Sequence, residues 1–233
     1  MSGKIKVIGS SSKGNGYAII VGDEILLLEC GLPWRDALRA CDYKSGNIVG
    51  CLVSHIHGDH SKYVMNYSDR VQVFSHKEVT ECCRAGKGTI LHSYTWYKVG
   101  KFKVMPLELE HDVTNFGYII YHPEIGNIFF GTDTFAYKEN FLGTNHWLVE
   151  ANYDDRLIEN LDRAQKQRLL VSHMSIDYCI KYLEACHAEK SKTITLIHLS
   201  SRHSDADDFQ NRVERKFGVP TYIADKGTEI ILN

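Results

Sequence analysis

The sequence predicts an α/β fold of four layers, two β-sheets packed face to face with helices on both outer faces, an αββα sandwich. Three features of the element order lead there. Short strands come first, strand and helix then alternate up to about residue 90, and hairpins from Trp96 to Phe130 give way to a second strand and helix alternation.

Residues 4–8, 16–21 and 24–28 read as strands, the last two joined at Gly22-Asp23 in the manner of a hairpin. Pro33 in a first turn, followed by Trp34, Ala37, Leu38 and Cys41, has the i, i+3, i+4, i+7 spacing of a helix. The apolar run 48–54 is expected to be a buried strand. A helix from about Ser61, a strand at 71–75 and a helix at 76–85, stopped by Gly86 and Gly88, continue the alternation. Strands at 96–99, 102–109, 116–122 and 127–130, with turns at Gly100-Lys101 and 123–126, predict a mainly antiparallel stretch. The last third reads as strand 147–150, helix 154–167, a short strand 169–171, a helix from Ser175 to about Glu189, strand 193–199, helix 205–217, and closing strands near Tyr222 and at 229–232. Trp34, Trp96 and Trp147 are expected in the core. Arg156, Arg163, Lys166 and Arg168, interleaved with Glu159 and Asp162, read as a solvated helix face with ion pairs.

A chain of 233 residues can bury one large core, and no repeat, low-complexity stretch or linker divides it, so a single domain over 1–233 is expected. The formal charge of -2 offers no footprint for tight non-specific nucleic-acid binding, although bound metal ions supply positive charge that such a sum omits. No apolar run approaches the ~20 residues of a membrane span, and the polar start from Met1 lacks the features of a signal peptide. Seven cysteines without CxxC or disulfide-framework spacing read as reduced thiols in a cytoplasm.

The chemistry concentrates in the histidines, twelve in all. In His55-Ile56-His57-Gly58-Asp59-His60, four ligand-type side chains fall within six residues directly after a strand, and Gly58 allows the backbone turn that converges them. An isolated HxH would read as a solvated loop; this density does not. Imidazole and carboxylate donors without a nearby cysteine suit zinc, manganese or iron at a catalytic centre rather than a structural thiolate site. His111, Asp133 and His198 each follow a strand, so a rigid sheet edge could deliver them to the same point.

With HxHxDH, a single His, a Gly131-Thr132-Asp133 segment and a late His, the chain resembles the metallo-β-lactamase superfamily over nearly its whole length. The resemblance implies the αββα metallo-β-lactamase sandwich. It also implies two divalent metals: His55, His57 and His111 on one, Asp59, His60 and His198 on the other, with Asp133 bridging. Ser10 to Asn15, His111-Asp112, the segment from Glu150 to Asp154, Ser172-His173-Met174-Ser175 and His198-Leu199-Ser200 are similar to the YycJ (WalJ)-like branch, regarded as DNA exonucleases. One departure is Glu29-Cys30-Gly31 where that family has Asp-x-Gly, which puts the support of a ligand histidine in question.

The resemblance implies a dinuclear phosphodiesterase or 5′ exonuclease acting on DNA, in which zinc or manganese (or iron) supplies a bridging hydroxide and neutralises phosphoryl charge. Asp59 and His173 are the catalytic candidates beside the metals, His173 as proton donor to the leaving group. Ser11, Ser12, Ser200 and Ser201 are candidate phosphate contacts. A broad nucleic-acid clamp would have to come from short loops or a homo-oligomer. The alternatives are a hydrolase of small esters, lactones or thioesters on the same metals, and a metal-binding module without turnover.

Overall fold

The structure is a computed structural model that describes residues 3–233; Met1 and Ser2 of the polar start lie outside the described residues. In chain order the elements are β1 Gly3–Gly9, β2 Gly16–Val21, β3 Glu24–Leu28, α1 Trp34–Ala40, β4 Ile48–Leu52, α2 Gly58–Ser61, α3 Val64–Ser68, β5 Val73–Ser75, α4 Lys77–Glu81, β6 Gly88–Ile90, β7 Tyr97–Val99, β8 Phe102–Leu109, β9 Asn115–His122, β10 Gly126–Gly131, β11 His146–Glu150, α5 Arg163–Ser172, α6 Ile176–Ala185, β12 Thr193–Ile197, α7 Ala206–Phe217, β13 Thr221–Ile223 and β14 Glu229–Leu232.

Two seven-stranded sheets run in the orders β14-β1-β2-β3-β4-β5-β6 and β13-β12-β11-β10-β9-β8-β7. Each is antiparallel at one side and parallel at the other: β3 to β6 pair parallel in the first, β10 to β13 in the second. The inner faces meet in a core containing Ile5, Tyr17, Leu26, Phe102, Tyr118 and Phe130. The outer face of the first sheet packs Ile25, Leu27 and Val53 against Ala37 of α1 and Tyr67 of α3. The outer face of the second packs Trp147 and Leu196 against α6 and α7. This is the four-layer order the sequence predicts.

Helix α7 shows how the pattern produces an element. Phe209, Val213 and Phe217 recur every four residues and are the buried ones, the Asp205 carboxylate accepts the Asp208 N–H, and Gly218 ends the helix at φ +66°. Acids fill its first turn and Arg215 and Lys216 its last, as the helix dipole favours.

Several expectations are corrected. Residues 169–171 lie in the last turn of α5, which starts late because Asp162 caps it at the Gln165 N–H, so the expected helix 154–167 is a 3-10 turn, a break and then α5. α6 stops at Ala185 rather than near Glu189, because His187 takes a left-handed conformation at φ +56°. The expected helix 76–85 is the shorter α4, and β6 has no counterpart among the expected strands. Trp147 is fully buried and Trp34 packs on the core, but Trp96 is half exposed.

His146 opens β11 fully buried, with Nδ1 2.9 Å from Thr193 Oγ1. Burial, with Lys192 adding, pushes its pKa down to about 4, below the ~6.5 of an unfolded chain. Between those values the unfolded chain binds more protons, so stability present above pH ~6.5 is lost as pH falls toward 4. The expected loss reaches about 3 kcal/mol. Urea unfolding at pH 7 and pH 4.5 checks it: His146→Asn, which keeps a polar atom at the Nδ1 position, should lose markedly less between the two than the parent chain.

Candidate metal centre

Carboxyl ends of strands from both sheets open on one cleft. Glu29 follows β3, His55 and His57 follow β4, and α2 carries Asp59 and His60; His111 follows β8, Asp133 β10 and His198 β12, while Glu150 ends β11. Parallel strands deliver side chains to the same edge, which is why residues so distant in sequence meet here. Gly31 permits the close approach of the first-sheet loops, since a Cβ there would lie 1.7 Å from the Asp59 carbonyl oxygen.

His55, His57, His111 and Asp133 each bring a ligand atom within 4.8 Å of the others, and Asp59, His60, Asp133 and His198 do the same. His57 Nδ1 and His111 Nε2 are 3.2 Å apart, and Asp133 Oδ2 lies 3.5 Å from His55 Nε2 and 3.2 Å from His60 Nε2. Asp59 Oδ2 lies 3.3 Å from His60 Nε2 and 3.4 Å from His198 Nε2. Ligands at ~2.0–2.1 Å from a tetrahedral ion stand about 3.3 Å from one another, so these separations fit cation coordination. His55 Nε2 is buried without a hydrogen-bond partner among the described residues, a cost that a metal would remove. All seven candidate ligands thus come together, with Asp133 common to both groups.

Electrostatics agree. Burial pushes the pKa of His55 well down, and that of His111 down, leaving neutral imidazoles with free lone pairs. Burial would raise Asp133, but His198 and His60 hold its carboxyl well below the usual range. For Asp59, hydrogen bonds from His198 and His60 likewise overcome burial. Burial opposes a charge on His60 and His198, yet Asp133 and the neighbouring carboxylates raise both well above the ordinary value. The second group is therefore a place of surplus negative field that favours a cation.

Other residues hold this set in place. The Ser54 N–H donates to both Glu29 carboxylate oxygens at 3.3 Å, Ser54 Oγ lies 2.9 Å from His55 Nδ1, and Glu29 Oε2 lies 3.6 Å from His60 Nδ1. Glu29 thus stands behind His60 despite the longer side chain. Glu29, Asp133 and His198 all have positive φ, 64°, 52° and 56°, strain of ~1–3 kcal/mol each that clusters at the cleft. Asn115 Nδ2 donates to the carbonyls of Thr132 and Asp133, and Asn152 Nδ2 to that of His198. Ser10 Oγ accepts the His198 N–H and the Tyr17 hydroxyl. Ser10 and Asn152 lie in segments similar to the YycJ-like branch and Asn115 in none, and sequence reasoning assigns none of the three an individual role.

His173 Nδ1 lies 2.7 Å from Glu150 Oε1, while Glu150 Oε2 accepts the Thr134 N–H. Burial works against a charge on His173, but Glu150 more than offsets it and raises the pKa. Glu150 is fully buried. Its signal in the sequence is the one that marks Asp133 and His198, a polar residue where a strand ends.

His57, Asp59, His111, Asp133, His173 and His198 line a cleft of ≈ 160 Å³, with Ser12, Asp112, Arg168 and Ser172 at its walls. Of the serines proposed as phosphate contacts, only Ser12 lines it. Ser11 Oγ accepts the Lys13 N–H, Ser200 Oγ accepts the N–H groups of Arg202 and His203, and Ser201 is exposed. Arg168 does not join the ion-paired face expected of it; among the four basic residues of that stretch, Arg156 makes the pairs, with Asp154 and Asp208.

No protein-family model matches the chain, and no curated protein matches it in sequence. Solved structures do resemble it. The metallo-β-lactamase fold protein YhfI from Bacillus subtilis superposes with a TM-score of 0.78 at 17% identity, covering 99% of this chain and 100% of that one. Igni18, a metallo hydrolase from the archaeon Ignicoccus hospitalis, gives 0.74 at 14% identity, covering 100% and 99%. The short form of human tRNase Z gives 0.69 at 15% identity, covering 99% of both chains. Two packed sheets, helices outside both and this structural likeness together establish that the chain has the metallo-β-lactamase fold.

Proposed function

We propose that the chain is a metal-dependent phosphodiesterase of the YycJ-like kind, acting on DNA as an exonuclease from a 5′ end. The observation that carries this reading is the pairing of two ligand groups sharing Asp133 with a His173 and Glu150 pair on the same cleft. Three imidazoles and one carboxylate would hold one divalent ion, zinc or manganese, and Asp59, His60 and His198 with Asp133 a second. When bound, such ions supply Lewis acidity toward phosphoryl oxygens and a water nucleophile at neutral pH.

The rest is done by the chain's own groups. Glu150 fixes the His173 ring through Nδ1 and favours its protonated form, leaving Nε2 as the donor available to a leaving oxygen. An alkoxide, the leaving group of a phosphodiester, needs such a donor; an activated ester does not. Ser54 and Glu29 orient His55 and His60, and Ser10 and Asn152 fix the strained backbone of His198, so the ligand set is preorganised. Human tRNase Z, a ribonuclease by its name and similar in fold, adds a precedent for nucleic acid as substrate. Among the described residues no helix is long and apolar enough to cross a membrane.

Hydrolysis of small esters, lactones or thioesters is the second reading, favoured by a cleft of only ≈ 160 Å³, below the ~300–1,000 Å³ of most ligand pockets. The test joins composition to activity. Elemental analysis after reconstitution should find two divalent ions per chain, and 5′-labelled DNA should release labelled mononucleotides first. One metal or none would overturn the dinuclear assignment. Brisk turnover of a lactone with all labelled DNA intact would transfer the function to the second reading.

A further inference from the structure

A second cleft of ≈ 340 Å³ adjoins the first. It shares Arg168 and His173 with the metal cleft and is otherwise walled by Leu161, Gln165, Leu169, Arg202 and His203. No carboxylate is among these residues. The Arg168 and Arg202 guanidinium groups make no ion pair or hydrogen bond with any described residue, in a chain where Arg156 and Arg212 are each engaged by carboxylates.

The two arginines stand on different elements. Arg168 lies on α5, which buries none of its residues and is anchored at its start by the Asp162 cap. Arg202 lies on the turn that follows His198, whose backbone is held where Ser200 Oγ accepts the Arg202 and His203 N–H groups. The backbones are thus secured while both side chains stay unpaired. Guanidinium forks match phosphate oxygens in geometry, and a wall without acids favours an anion over a cation.

We propose that this cleft is a phosphate subsite in which Arg168 and Arg202 clamp the phosphate next to the scissile one, selecting nucleic-acid strands over small esters. This rests on the phosphodiesterase reading above and adds to it the residues that recognise the strand. It also explains why the metal cleft itself is small: the substrate extends past His173 into the neighbouring cleft.

The test measures binding apart from turnover. A fluorescein-labelled, 5′-phosphorylated oligothymidylate is titrated with the protein in EDTA at several salt concentrations and read by anisotropy. The Arg168→Gln/Arg202→Gln double variant should bind at least tenfold more weakly at low salt. Its slope of log K against log salt should shrink by about 0.7, the value for one fewer phosphate neutralised along a single strand. Arg163→Gln removes one positive charge from the start of the same helix, outside both clefts, and should bind within twofold of the parent.

Parental affinity and slope in the double variant would overturn the subsite, as would an equal loss in Arg163→Gln or an absence of binding by the parent chain at low salt. With metal added, the double variant's kcat/KM should fall at least tenfold more on the oligonucleotide than on bis(nitrophenyl) phosphate, and equal falls on both would overturn it too. A parent chain that hydrolyses neither substrate refutes the phosphodiesterase reading, and the anisotropy result still decides the subsite.

Discussion

Asp133→Asn is expected to lower hydrolysis by roughly 10³-fold or more, the scale on which a core catalytic group acts, and to leave the purified chain short of metal. Asp133 is the member common to both ligand groups, with Oδ2 3.5 Å from His55 Nε2 and 3.2 Å from His60 Nε2. Among the described residues no other side chain takes part in both of these groups, so its loss cannot be shared out. Asn is the right replacement because it has nearly the same shape and tolerates the φ of +52° that this position adopts. The carbonyl that Asn115 holds is untouched. Circular dichroism should therefore match the parent while the metal content found by elemental analysis falls below that of the parent. Full metal content with activity within tenfold of the parent would refute Asp133 as the shared ligand.

Much of this centre could be read before folding because HxHxDH is dense: four ligand-type residues in six leave few structural explanations. His111, Asp133 and His198 were legible through their common position at strand ends, a consequence of parallel strands delivering their carboxyl ends to one edge. Glu150 has that position too, yet glutamates are common on surfaces and its burial is a tertiary fact. Asn115, Asn152 and Ser10 act through hydrogen bonds to backbone groups distant in sequence, and such bonds leave no periodic trace.

The helix reading failed where local signals competed. The apolar Leu169, Leu170 and Val171 suggest a strand, but they form the exposed or half-buried end of α5. The same competition hid Arg168. Charges interleaved along 154–168 read as i, i+4 pairs on one continuous helix, and the break before Asp162 removes that register. An arginine that would have been neutralised on such a face is left facing the cleft.

His173→Ala should separate proton donation from binding. A donor's loss slows reactions with a poor leaving group by roughly 10² to 10⁴-fold, so cleavage of an oligonucleotide, which expels an alkoxide, should fall within that range. Bis(nitrophenyl) phosphate expels a nitrophenolate that needs no proton at neutral pH, and its turnover should stay within a few-fold of the parent. The structure supports the donor role through Glu150, whose Oε1 lies 2.7 Å from His173 Nδ1 and directs the other ring nitrogen elsewhere. Because His173 is partly exposed and ends α5 rather than anchoring a core, the Ala variant should fold normally. Glu150→Gln keeps the shape but removes the charge that favours protonation, so it should show the same leaving-group selectivity with a smaller loss. Equal loss on both substrates in His173→Ala would mean that the ring positions the cleft, with the proton coming from elsewhere.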